Sequence, residues 1–187
     1  MKKLLQFFAV TLAVLPMVAS AHGPTRQTVK ETIFINAAPA KVWSLVGDFK
    51  SIDKWHPAIA SAEMLSDTER KLTVKADGNP TITEKLEKLD NDKMMMIYKI
   101  EDMSVVKTIT FNSKDTPYFT LPINNYKSWL SVKAKDGGSE VTWKGKFYRS
   151  FLDNPPVPEG QSDSDAVAAV KGVYTSGLDN LKAMLEK

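Results

Sequence analysis

SDSDAVAAVKGVYTSGLDNLKAMLEK, residues 162–187, is the stretch on which the fold turns. Val167, Val170, Tyr174, Leu178, Leu181 and Leu185 recur at three- and four-residue spacing, which predicts one long helix with a single apolar stripe. Ser162 or Asp163 supplies its N-cap, and Pro155-Pro156-Val157-Pro158 is a stiff connector leading into it. A helix with one greasy stripe needs a sheet to cover.

The chain upstream provides that sheet. Alternating apolar and polar residues predict strands over Ile59 to Leu65, Arg70 to Ala76, Ile82 to Leu89, Met94 to Ile100 and Val105 to Phe111. A hairpin follows, Asn125 to Ala134 and Glu140 to Arg149, around Asp136-Gly137-Gly138-Ser139. Asp77-Gly78-Asn79-Pro80 and Asn91-Asp92 are turn signals between strands. Ahead of the meander, Val29 to Asn36 reads as a strand. Pro39 opens a short helix with Val42, Trp43, Leu45, Val46 and Phe49 on its apolar face, ending at Gly47, and a second short turn spans Ser51 to Trp55. The predicted class is α+β, a helix-grip arrangement: a curved antiparallel sheet around a long C-terminal helix, with a cavity where the two do not meet.

The N-terminus carries an address. Lys2 and Lys3, the apolar run Leu4 to Val18 and the small-x-small pattern Ala19-Ser20-Ala21 predict a secretory signal over residues 1–21, with one domain over 22–187. The apolar run is too short to span a bilayer, so the expected product is periplasmic, nearly neutral and without a membrane span. Cleavage after Ala21 would start the chain at His22-Gly23-Pro24. A terminal amine plus imidazole, completed by His56, could chelate copper; a frayed polar tail is the simpler reading, and no metal site is expected.

Composition excludes several chemistries. With no cysteine there is no disulfide, thiolate nucleophile or Cys-ligated zinc. Twenty-five basic against 22 acidic residues is too even for a nucleic-acid binder. No G-x-S-x-G elbow, phosphate loop, dinucleotide fingerprint or H-E-x-x-H occurs, and no cofactor is expected.

Period-two alternation assigns the inner face. Met94, Met96, Tyr98 and Ile100 share one side, as do Tyr126, Ser128, Leu130 and Val132, and Val141, Trp143, Gly145 and Phe147. Met95 falls on the opposite face, so Met94–Met96 cannot chelate as one unit. Aromatics beside Gly145, with Gly172 and Gly177 on the helix, predict free volume of the kind that holds a ligand. The alternative is that the same residues fill a solid core. Candidate ligand-binding residues are Trp55, His56, Arg70, Glu84, Met96, Tyr98, Tyr126, Trp143, Phe147 and Tyr174. Arg70 and Glu84 are in phase with inward apolar residues on neighbouring strands, so they should pair, either to orient a polar ligand or as a strand-end ion pair in water. An enzyme of this design would use His56 with Arg70 and Glu84, although no local carboxylate orients His56.

The segments Ala38-Pro39-Ala40-Lys41-Val42-Trp43, Gly47-Asp48-Phe49, Trp55-His56-Pro57, Arg70-Lys71-Leu72-Thr73, Ile82-Thr83-Glu84-Lys85-Leu86, Leu121-Pro122-Ile123-Asn124-Asn125-Tyr126 and Ser139-Glu140-Val141-Thr142-Trp143 together resemble the SRPBCC, or START-like, superfamily of polyketide cyclases/dehydrases and Bet v 1-like proteins. With a signal peptide and a His-Gly-Pro start, the chain is similar to the MxaD type, periplasmic accessory proteins of methanol oxidation. That resemblance implies assistance to a periplasmic methanol dehydrogenase and its electron transfer to cytochrome c. The alternatives it leaves open are a small cyclase/dehydrase-like enzyme and a carrier of an apolar ligand such as a lipid or quinone. One departure stands out: Met103 to Leu121 is extra sequence, readable as a lid, a docking element or a packed hairpin.

Overall fold

A computed structural model describes residues 23–187. The predicted signal, residues 1–21, and His22 lie outside the described residues.

In chain order the elements are β1 (Gln27–Ile35), α1 (Pro39–Val46), α2 (Ile52–Trp55), β2 (Ile59–Met64), β3 (Glu69–Val74), β4 (Thr81–Asp90), β5 (Met95–Met103), β6 (Val105–Phe111), β7 (Lys114–Phe119), β8 (Ile123–Lys135), β9 (Gly138–Arg149) and α3 (Asp163–Leu185). Seven strands form one antiparallel sheet in the order β1-β9-β8-β5-β4-β3-β2. Helix α3 lies across its inner face, and Ala166, Val170, Tyr174, Leu178 and Leu181 bury the stripe. The helix-grip architecture follows from this order: β1 closes onto the last strand while α1 and α2 fill one end.

Local chemistry sets the boundaries. Ser162 and Asp165 form a capping box at the start of α3: the Asp165 amide donates to the Ser162 hydroxyl (3.1 Å) and the Ser162 amide donates to the Asp165 carboxylate (2.9 Å). The β8–β9 hairpin is tighter than predicted. Asp136 and Gly137 alone form the turn, both at positive φ, and Gly138 and Ser139 belong to β9. Positive φ at both central residues matches the right-handed strand twist, so pairing runs up to Lys135 opposite Gly138.

Because β5 pairs directly with β8, residues 104–122 leave the sheet, and they fold as a separate two-stranded hairpin, β6–β7. The periodicity reading identifies β6 but leaves β7 open, since KDTPYF neither alternates nor avoids proline. The hairpin is anchored on one side: Gln161 Nε2 donates to the Pro117 carbonyl (3.2 Å), the Tyr118 hydroxyl donates to the Glu159 carbonyl (2.9 Å), and Phe111 meets Phe151 edge-on. On the other side Val105 and Val106 are half exposed. Among the described residues no helix is long and apolar enough to cross a membrane.

Candidate functional site

The sequence-predicted inner wall is assembled by strand register. Tyr98 on β5, Ser128 on β8 and Gly145 on β9 are successive cross-strand neighbours, with Val29 next on β1. One row over, Met96, Leu130 and Trp143 repeat the pattern. Tyr126 and Phe147 complete the aromatic wall, stacked at 6.3 Å, and Tyr174 reaches down from α3. Met96, Tyr98, Tyr126, Trp143, Phe147 and Tyr174 are all buried, Tyr98 and Trp143 to 2% exposure.

These groups satisfy one another. The Trp143 indole N–H is shared between the Tyr98 hydroxyl and Ser128 Oγ, both at 2.9 Å. The Tyr126 and Tyr174 hydroxyls meet at 2.5 Å, and the Tyr174 ring stacks on Trp143 at 4.3 Å. Burial, the leading cause in each case, pushes all three tyrosine hydroxyls far above the ordinary phenol range. They remain neutral hydrogen-bonding groups.

The free volume expected beside the glycines is occupied, which corrects the cavity expectation there. A Cβ on Gly145 would sit 2.3 Å from the Tyr174 hydroxyl, and one on Gly177 would sit 2.6 Å from the His56 ring. Those glycines are sockets for neighbouring side chains. Gly172 is exposed, and a Cβ there would meet only open space.

Arg70 and Glu84 do pair, but not at a wet strand end. They stand opposite each other on β3 and β4 with Nη2 and Oε2 at 2.6 Å and the Arg70 Nε–H donating at 2.7 Å, and they are 3% and 6% exposed. Arg70 also donates to the Phe49 carbonyl, and its guanidinium lies 4.0 Å above the Phe49 ring. The loop between α1 and α2 therefore roofs the pair. Nothing in the local sequence marks Phe49 for this role, because its carbonyl acts, not its side-chain type alone.

His56 ends α2 as an internal strut. Its Nδ1 accepts from the Ala58 amide (3.2 Å), so the proton resides on Nε2, which donates to the Val173 carbonyl of α3 (3.0 Å). Burial lowers its pKa; the Val173 hydrogen bond opposes that, and Arg70 and Lys75 reinforce it. Both nitrogens are engaged and no carboxylate orients the ring. Trp55 packs against both His56 and Trp143, and its carbonyl accepts from Asn180 Nδ2 (2.8 Å). Ser128 and Asn180 belong to this network without having been singled out as site residues. The signal for Ser128 was available, a lone hydroxyl in an inward apolar phase; that for Asn180 was not.

Open clefts lie elsewhere. One of about 300 Å³ runs between the β6–β7 hairpin and the connector, over Phe111, Phe119, Phe151 and Gln161. A second of about 640 Å³ lies beside Phe49, Met64 and Leu86, and a third of about 420 Å³ beside Met103 and Ile123. None of the ten predicted binding residues lines these clefts.

Comparison with known proteins agrees with this architecture. Residues 26–186 match the family model described as polyketide cyclase / dehydrase and lipid transport. Among solved structures, the protein XoxI from Bacillus cereus is 24% identical, with 86% of this chain and 96% of that one covered and a TM-score of 0.68. A START superfamily protein from Mycobacterium smegmatis is 12% identical over 85% and 97%, TM-score 0.61. The Zhui aromatase/cyclase from Streptomyces sp. R1128 is 16% identical over 87% and 94%, TM-score 0.62. At these identities the likeness is one of fold. No curated protein matches the sequence.

Proposed function

The chain belongs to the polyketide cyclase/dehydrase and lipid transport family, and from that premise we propose that it is an exported, non-enzymatic binding protein that assists a partner protein. The observation that carries this reading is an interior whose hydroxyls and imidazole bond one another or backbone, the buried Trp55 indole N–H being the one polar group of the predicted site residues without a partner. Tyr98, Tyr126, Ser128, Trp143 and Tyr174 bond one another, and His56 spends both nitrogens on backbone. A catalytic acid–base needs a reacting proton within hydrogen-bond reach and a route to it; here the place of substrate is taken by Tyr174 and His56. The partner proposed is a periplasmic methanol dehydrogenase or its cytochrome c, on the strength of the signal-like N-terminus and the resemblance to MxaD-type proteins. The test is cytochrome c reduction by purified methanol dehydrogenase with and without this protein. A faster rate is expected. An unchanged rate, with a small molecule released when the purified protein is denatured, would replace the accessory reading with a lipid or quinone carrier.

One observation favours a second reading, a cyclase-like enzyme: the Arg70–Glu84 pair is a charged group held inside, against the Tyr98 ring at 5.4 Å. It requires the roof at Phe49 to open. Turnover of an aromatic polyketide that is lost in His56→Ala would establish it.

A further inference from the structure

The outer face of the sheet, turned away from α3, carries a charge pattern that the interior does not explain. Its side chains fall into rows across the strands. One row runs Thr28, Lys146, Lys127, Lys99 and Lys85, four lysines as direct cross-strand neighbours. The next runs Lys30, Lys144, Trp129, Ile97 and Lys88. Like charges set directly opposite destabilise a sheet, and the two halves of this face treat that cost differently. Toward β4 and β5, carboxylates answer the lysines: Glu69 with Lys85 (3.2 Å), Glu101 with Lys99 (2.8 Å) and Glu87 with Lys127 (2.5 Å). Toward β1, β9 and β8, Glu140 answers Lys135 at 2.5 Å. Lys133 stands directly opposite the same Glu140, whereas among the described residues Lys30, Lys144 and Lys146 have no carboxylate within ion-pair distance.

The chain is not short of acid, having 22 acidic residues against 25 basic ones. The segregation is spatial. Trp129 sits within it, its ring 5.8 Å from both the Lys127 and the Lys144 ammonium. Hydroxyls of Thr28, Thr32, Ser131 and Thr142 occupy the positions between.

We propose that the outer face of β1, β9 and β8 is the docking surface for an acidic protein, whose carboxylates complete the lysine rows around Trp129. Uncompensated lysines steer a negatively charged partner, and a central tryptophan is the residue type that anchors such an interface. A lipid surface fits less well: beside the half-buried Trp129, the large apolar side chain exposed on this face is Phe34, at a corner, and the two do not form a continuous apolar wedge. The inference rests on the reading of the protein as a partner-binding factor and specifies where and with what charge it binds.

The experiment measures binding of the purified full chain to immobilised poly-L-glutamate as a function of salt, beside vesicles of phosphatidylglycerol and phosphatidylethanolamine. Wild type should bind poly-L-glutamate, weakening as salt rises. The triple variant K30E/K144E/K146E should lose about ten-fold or more in affinity. K41E/K50E/K171E makes the same charge change at exposed lysines away from the face and should lose about two-fold or less. Trp129→Ala should weaken binding without changing charge. Thermal melts establish that each variant is folded. Equal losses in the two triples, no binding to poly-L-glutamate, or binding to the vesicles alone would each overturn the proposal. The probe reads the face by itself, so such a failure is distinct from a failure of the dehydrogenase assay.

Discussion

Gly145→Ala tests whether the interior is full. The added Cβ would lie 2.3 Å from the Tyr174 hydroxyl and 3.1 Å from the Tyr126 ring, and contacts under 3.0 Å are not sustained. Tyr174 would have to retreat by roughly 0.7 Å or more. It has little freedom to do so: its ring is stacked on Trp143 at 4.3 Å and its hydroxyl is held by Tyr126 at 2.5 Å. Overpacking of this kind costs about 1–3 kcal/mol, and a weakened Tyr126–Tyr174 hydrogen bond adds about 1 kcal/mol. Replacing a strand glycine returns about 0.5–1 kcal/mol through the unfolded chain. The net expectation is a loss of about 1–3 kcal/mol by urea denaturation followed by tryptophan fluorescence. Tyr174→Phe removes the blocking oxygen, so in that background the same substitution should cost about 1 kcal/mol less. A Gly145→Ala protein as stable as wild type, or an equal cost in both backgrounds, would refute the reasoning: the interior would then hold slack, and a ligand cavity would return as the better account.

Two further outcomes follow from the buried charges. Arg70→Met or Glu84→Gln alone should cost about 3–5 kcal/mol, because each leaves the other charge uncompensated in the core, whereas the double replacement Arg70→Met with Glu84→Leu should recover much of it in the same denaturation assay. His56, with its folded pKa held below 6.5, binds fewer protons than the unfolded chain once pH falls under 6.5, so its contribution makes stability fall as pH drops from there toward its folded pKa and leaves it flat above. Urea midpoints for wild type and His56→Gln across pH 5.5 to 7.5 check this; a wild-type slope no steeper than the variant's contradicts it.

Much of the fold was legible because strand periodicity is binary. Once Tyr98, Tyr126, Trp143 and Phe147 share a phase with clear core residues, all must face in, and all do. The same phase argument paired Arg70 with Glu84. What it could not show is how deep the pair sits, since the covering carbonyl belongs to Phe49, in a loop whose path no side-chain pattern encodes. Nor could it tell a socket from a void at Gly145: that depends on where Tyr174 lands when α3 docks. The second partner of His56, the Val173 carbonyl, is likewise backbone contributed by a distant element. β7 was hidden by Pro117, which a sheet accepts at an edge where no N–H is needed. The lysine row becomes visible only when strand order is known: the predicted hairpin puts Lys146 beside Lys127 and the Asn91-Asp92 turn puts Lys99 beside Lys85, but the two pairs are joined only by the β5–β8 pairing, which skips β6 and β7.

The closed interior and the charged exterior bear on one another. In this chain the helix that covers the sheet also plugs it, since Tyr174 fills the space over Gly145 while Gly177 admits His56. For a ligand to enter, Tyr174 would have to leave its stack on Trp143 and its bond to Tyr126, exposing buried hydroxyls whose loss of partners costs about 1–3 kcal/mol each. A ligand could recover that only by supplying equivalent hydrogen bonds. Binding on the outer face asks nothing of the core, and there relief of lysine repulsion works in favour of association. Of the interior and the outer face, it is the outer face, with Lys30, Lys144 and Lys146 unanswered by carboxylates, that would gain from the proposed acidic partner.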